Sequence, residues 1–190
     1  MKILFATTNK HKLNEVKKIL KNHEVISLSD LNDTDVVIED GESFKENAAI
    51  KARYYYLKYH LPTIADDSGL CIEYLNNYPG IYSARFLNTD DYKIKNQFIV
   101  DLLKDVDNRK AFFHCSICFI NDGIETFFEG NFLGSISNEY DDSISFGYDP
   151  IFIPKGHDKT VAKLGEEFKN QNSHRAKALL KLGVYLEKNT

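Results

Sequence analysis

Apolar and polar residues recur with different periods along the chain, and each change of period marks an element. Ile3 to Ala6 form an apolar run, Thr7-Thr8-Asn9 interrupt it, and Leu13, Val16, Ile19 and Leu20 then recur at helical spacing. This pattern predicts a strand, a polar turn and a helix. Residues 24–28 read as a second strand, and 30–43, rich in acids and turn formers, as a loop. Ser43 opens Ser-Phe-Lys-Glu, a capping box with Glu46. The helix it caps should reach Tyr59, with Phe44, Ala48, Ala52, Tyr55 and Tyr59 inward and Asn47 and Lys51 paired at i and i+4 on another face.

Residues 62–66 and 70–74 read as short strands on either side of a turn at Asp66-Asp67-Ser68-Gly69, since Asp, Ser and Gly all favour turns. Residues 91–106 repeat Ile94, Phe98, Leu102 and Val106, a helix. Two long strands, 110–120 and 124–136, flank Asn121-Asp122-Gly123, a tight hairpin signal. A polar loop leads to Phe146-Gly147-Tyr148-Asp149-Pro150. The last helix, capped by Ser173, carries Ala176, Leu179, Leu180 and Val184 as its stripe. No repeat, low-complexity tract or linker divides the chain, so residues 1–190 read as one mixed α/β unit with long hairpin strands and flanking helices.

A chain of 190 residues can bury a real core, with room for two lobes. With 43% hydrophobic and 27% charged residues and a net charge of −4, it falls among ordinary globular proteins, not general nucleic-acid or membrane-surface binders. The apolar N-terminal run is too short for a signal-peptide core and no stretch is long enough to span a membrane, so a cytoplasmic protein is expected. Cys115 and Cys118 form C-x-x-C. On a strand that spacing sends the thiols to opposite faces, so they are expected to be buried small residues, as is Cys71, and not a redox or metal pair.

Candidate chemistry gathers where elements end. Thr7, Thr8, Asn9 and Lys12 stand at a helix start, where N–H groups and the dipole favour an anion such as phosphate. Without a Gly-rich fingerprint, a merely solvated lysine is the bland alternative. Glu39, Asp66 and Asp67 are, taken singly, loop or turn residues. Together they are a set that could hold Mg2+, which takes one or two carboxylates, water and substrate phosphates. Two adjacent acids also invite a cation to neutralise them. Lys169, Ser173, His174 and Arg175 bring cations to a helix N-terminus, a mild conflict with the dipole that hints at function over a solvated helix start. Phe146 and Tyr148 beside Asp149 are either core aromatics or a platform on which a nucleobase stacks.

Six segments in order, FATTNKHK, EDGESFKENAAIKAR, IADDSGL, YPGIYSAR, FGYDPIF and KNQNSHRAKAL, resemble the signatures of the Ham1-type inosine triphosphate pyrophosphatase family. The resemblance implies an elongated, two-lobed α/β fold with the active site in the central cleft. It also implies a homodimer, and Mg2+-dependent hydrolysis of non-canonical purine nucleoside triphosphates (ITP, dITP, XTP) to the monophosphate and pyrophosphate, clearing them from the nucleotide pool. By the same resemblance Asp67 is the general base and a metal ligand with Glu39, and Lys51 joins Asp67 in the catalytic group. Thr7, Thr8, Asn9, Lys12, Lys51 and Ser68 hold the triphosphate. Phe146, Gly147, Tyr148, Asp149, Lys169, His174 and Arg175 line the base pocket. Many relatives carry Gly-Gly where this chain has Asn76-Asn77, Gly where it has Ala176 and an acid where it has Phe168. The alternative reading is a non-catalytic purine nucleotide-binding protein. Neither reading involves nucleic acid or a membrane.

Overall fold

The computed structural model describes residues 1–142 and 146–189. In chain order the elements are β1 (Lys2–Phe5), α1 (Lys10–Ile19), β2 (Glu24–Ser27), α2 (Phe44–Tyr59), β3 (Thr63–Ile72), β4 (Tyr78–Pro79), α3 (Tyr92–Leu102), β5 (Lys110–Asn121), β6 (Ile124–Ile136), β7 (Phe152–Pro154), α4 (Val161–Leu164), α5 (Glu166–Asn172) and α6 (His174–Asn189). Strand order is β2-β1-β3-β5-β6-β7, with β4 paired to β3. Two compact units are formed, the first from Met1–Asp67, Cys115–Gly130 and Arg175–Thr190, the second from Ser68–His114 and Asn131–His174. The polar loop expected before Phe146 takes in 143–145, outside the described residues. No described helix is long and apolar enough to cross a membrane.

In the first unit β1 runs parallel to both β2 and β3, with Leu4 opposite Thr63 and Phe5 opposite Ile64. A strand buried on both faces is continuously apolar, and successive residues feed two cores. Ile3 and Phe5 pack with Val16, Leu20, Ala178, Leu179 and Leu182, whereas Leu4 and Ala6 pack with Ala48, Ala49, Ala52 and Tyr55. The same alternation sends Cys115 to the first core and Cys118 to the second; both are free and buried, as is Cys71. In the second unit β4 and β7 add antiparallel to β3 and β6. Its core includes Leu70, Ile72, Ile99, Phe113, Tyr148 and Phe152.

Several expectations need correction. Asp66-Asp67-Ser68-Gly69 is not a turn but the middle of β3, because the neighbouring strands supply pairing that outweighs turn preference. In α2, Asn47 is buried and Phe44 and Tyr59 are only partly so. In α6, Leu180 and Val184 are exposed while Ala178, Leu182 and Leu186 face the core. The stripe on α3 points outward: Ile94, Phe98 and Leu102 are 53%, 45% and 46% exposed, and Lys95, Asn96, Ile99 and Val100 are buried. Lys95 and Asn96 are admitted inside because each finds a carbonyl, Ala84 O at 2.5 Å and Gly147 O at 2.9 Å.

The hairpin between β5 and β6 has Asp122 and Gly123 at positive φ, as a tight twisted turn requires. Asn76 and Asn77 also lie in the left-handed region, at φ 51° and 65°. Asparagine tolerates this better than other residues with a Cβ. Asn77→Ala should therefore lower the free energy of unfolding in urea by about 1 kcal/mol, while Asn77→Gly leaves it nearly unchanged. An alanine variant as stable as the wild type would refute the conformational assignment.

Candidate active site

At the end of β1 the chain turns through Thr7, whose hydroxyl accepts the Asn9 N–H at 3.1 Å. Asn9 caps α1, its side-chain oxygen accepting the N–H groups of His11 and Lys12 at 2.9 and 3.2 Å. This start aims Lys12 at β3, where its ammonium donates to both oxygens of Asp66 at 3.1 and 3.0 Å. Arg175, near the start of α6, donates from Nε to Asp66 at 3.2 Å and from Nη1 to Glu15 at 2.8 Å. Asp66 is 1% exposed and Arg175 6%. Burial works against the Asp66 charge, yet Lys12, Arg175 and Lys51 hold its carboxyl far below the usual aspartate range. Two side-chain cations thus stand directly against Asp66.

Asp67, one residue on, faces α2. Its Oδ2 accepts from Asn47 Nδ2 at 3.0 Å, and Asn47 Oδ1 accepts the Gly41 N–H at 2.9 Å. A Cβ on Gly41 would lie 2.7 Å from Glu46 Cβ and 2.8 Å from Asn47 Oδ1, so only glycine brings the loop this close. Burial lifts the Asp67 carboxyl to about 6, against the pull of Lys51 and the Asn47 bond, and Glu39 and Asp66 add to the rise. Lys51 donates to Glu39 at 2.7 Å. Its ammonium is held charged because the fields of Asp66, Glu39 and Asp67 outweigh its burial. Thr7, Thr8, Glu39 and Lys51 line a cavity of about 690 Å³ in this unit, with Asp33, Asp35 and Tyr55. Lys58 donates to Asp33 and Asp35, at 2.7 and 2.6 Å, and fastens the intervening loop to α2.

The first unit thus assembles Lys12, Asp66 and Arg175 as one group and Glu39, Lys51 and Asp67 as another. Among the described residues no three His, Cys, Asp or Glu are grouped closely enough to hold a metal ion alone. Mg2+ does not demand three, since it takes one or two carboxylates with water and phosphate oxygens; of Glu39 and Asp67, Glu39 lines the cavity.

In the second unit Ser68 continues β3 and is partly buried. Lys169 donates to Asp149 at 2.6 Å and stands 5.1 Å from the centre of the Phe146 ring, which is 44% exposed. An open aromatic face, a cation and an acid are therefore adjacent. Tyr148 departs from the expected stacking role. It is 3% exposed and its hydroxyl donates to Ser83 O at 2.7 Å, so it belongs to the core. His174 stacks on Phe113, with ring centres 5.0 Å apart and planes at 13°.

Residues 3–185 match the sequence profile of the Ham1 family. The chain belongs to that family. A dITP/XTP pyrophosphatase from Acholeplasma laidlawii is 42% identical, with 94% of this chain and 90% of the relative covered. One from Aquifex aeolicus is 41% identical, covering 100% and 98%. Among solved structures, the Staphylococcus aureus Ham1 protein aligns over 100% of both chains with a TM-score of 0.92 at 35% identity.

In this Ham1 chain, sequence reasoning missed three features. Asn47 was visible only as the residue one turn before Lys51, and nothing in its spacing tells that its amide joins Gly41 to Asp67. The engagement of Lys12 and Arg175 with Asp66 was also out of reach, since their separations of 54 and 109 residues leave no local signal. Removing one partner of a buried ion group leaves an uncompensated charge. Arg175→Met should therefore cost about 3 kcal/mol or more in urea unfolding at neutral pH. Because the folded carboxyl of Asp66 lies below its unfolded value, its contribution is complete above about pH 4 and fades as the pH falls through the folded value. The deficit of Arg175→Met should shrink in that acid range. A deficit that does not change with pH would mean that Asp66 is not the partner that matters.

Proposed function

We propose that this chain hydrolyses non-canonical purine nucleoside triphosphates, of the inosine, deoxyinosine and xanthosine type, to the monophosphate and pyrophosphate. The observation that carries the reading is the separation of the two adjacent acids. Asp66 is neutralised by Lys12 and Arg175, and Asp67 is held apart by Asn47 with its carboxyl raised toward neutrality, beside the Glu39–Lys51 pair. The dITP/XTP pyrophosphatases of Acholeplasma laidlawii and Aquifex aeolicus, about two-fifths identical over nearly the whole chain, support the same reading.

In this reading water attacks the α-phosphorus and gives its proton to Asp67. The bond from that phosphorus to the bridging oxygen breaks, and pyrophosphate leaves with the electron pair. A general base of this kind contributes typically 10²–10⁴-fold. Glu39 and Asp67 are the residues that would hold Mg2+, which when bound supplies charge neutralisation on the phosphates. Lys51, the Thr7 to Asn9 turn and Ser68 take the triphosphate, with Lys12 beside them on Asp66. Phe146 offers a face for the base, and Asp149, Lys169 and His174 offer polar groups for its edge. A 6-oxopurine presents an acceptor and an N1–H donor where adenine presents the reverse, so mismatched buried groups disfavour adenine by roughly 1–3 kcal/mol each. A single domain over 1–190 and a cytoplasmic location, expected from the sequence pattern, and a homodimer, implied by the family resemblance, belong to the same reading.

Incubation of inosine triphosphate with the protein and Mg2+ should release pyrophosphate, stop on chelation, and be much faster than with adenosine triphosphate. Orthophosphate as the first product would reject the reaction, and binding without turnover would favour a nucleotide-binding protein. Asp67→Asn should lose at least about 10³-fold in turnover with an unchanged circular dichroism spectrum. A folded variant with near wild-type turnover would remove Asp67 from the catalytic role.

A further inference from the structure

Helix α3 turns its apolar stripe outward and buries Lys95 and Asn96, a reversal that needs a reason. Asn96 is 1% exposed and donates from Nδ2 to the carbonyl of Gly147 at 2.9 Å. The amide cannot be reversed, since its oxygen has no hydrogen to give a carbonyl. That oxygen is buried without a hydrogen-bond partner among the described residues. A buried acceptor left unmet is unfavourable, and a leucine of similar size would avoid it. The asparagine therefore serves the Gly147 bond, and a residue that breaks a local rule in this way marks a functional position.

Gly147 begins the peptide that leads into Tyr148. Its φ is +65°, and a Cβ there would touch Tyr92 Cε1 at 3.8 Å. On either side Tyr92 packs its ring against Phe146 and Tyr148, with centres 6.2 and 5.2 Å apart. Tyr148 is tied to Ser83 O, and Lys95 holds the next carbonyl, that of Ala84. In a planar trans peptide the C=O and the following N–H point in opposite directions. With the Gly147 carbonyl drawn toward α3, the Tyr148 N–H must point away from α3. Arg175, expected among the donors to the base, has its guanidinium on Asp66 and Glu15. The 6-oxo oxygen can therefore draw a donor other than Arg175, and a main-chain N–H beside Phe146 is such a donor in addition to Lys169 and His174.

We infer that Asn96 is a positioning residue for base selection: by fixing the Gly147 carbonyl it presents the Tyr148 backbone N–H as a donor to the 6-oxo oxygen of the purine. This rests on the proposed function, and deepens it by naming a donor that no side-chain substitution can remove directly. Adenine, with an amino group at that position, meets donor with donor.

The test compares wild type with Asn96→Leu on inosine, xanthosine and adenosine triphosphates. Gly147 is partly exposed, so its carbonyl can turn to water, and the variant should melt within about 3 °C of wild type. KM for the two 6-oxo substrates should rise about tenfold, with kcat within twofold and adenosine triphosphate unaffected, so that the preference over adenosine falls about tenfold. An unchanged preference in the folded variant, or an equal loss on all three substrates, overturns the inference. A second measurement uses wild-type protein labelled with 15N-tyrosine: the Tyr148 amide resonance should move downfield on adding inosine monophosphate and not adenosine monophosphate. An unmoved resonance at saturation also overturns it. Failure of the proposed function would look different, as wild type would release no pyrophosphate at all.

Discussion

The buried carboxylate of Asp66, set between Lys12 and Arg175, is the interaction on which the first unit's site depends. A carboxylate taken out of water demands opposite charge within hydrogen-bond reach. The two cations come from the first turn of α1 and from the start of α6, so satisfying Asp66 also fixes where those helices stand against β3. The chain thereby resolves its two adjacent acids by geometry. Strand alternation sends Asp66 toward α1 and α6 and Asp67 toward α2.

That separation gives the two carboxyls opposite character. Asp66 is an ordinary anion made permanent by its partners. Asp67 is partly buried, with the Asn47 amide and a lysine nearby, and desolvation is the larger influence, so its carboxyl rises. Asn47 carries more of this arrangement than its type suggests, because its amide spans from the Gly41 loop to Asp67. Gly41 in turn must lack a side chain for that loop to come near. A glycine, an asparagine and an aspartate spread over 27 residues thus act as one unit, 41 to 67.

The second unit works by another means, with polar residues admitted to the inner face of a helix. Lys95 and Asn96 each bind a backbone carbonyl, and Tyr148 binds a third, so irregular segments are pinned where no strand could hold them. Arg109 does similar work where β5 begins, donating to the carbonyls of Leu103, Ile136 and Ser137. These contacts leave Phe146 as the open aromatic face beside Asp149 and Lys169, while Tyr148 is withdrawn into the core.

By itself the sequence determined where elements lie and which chemistry they carry. The strand-turn-helix at the start, the Ser43 cap, the long hairpin and the six ordered segments are all local signals, written by neighbours within a turn or a strand. Only the tertiary structure decided that Asp66-Asp67-Ser68-Gly69 extends as strand, that α3 shows its apolar stripe outward, and that Lys12 and Arg175 converge on Asp66. Periodicity reports that a helix has an apolar face but not what that face meets. Turn propensity is worth less than the pairing that adjacent strands offer. Partners of a buried charge are chosen by proximity in space, and separations of 54 and 109 residues leave no trace in the local pattern.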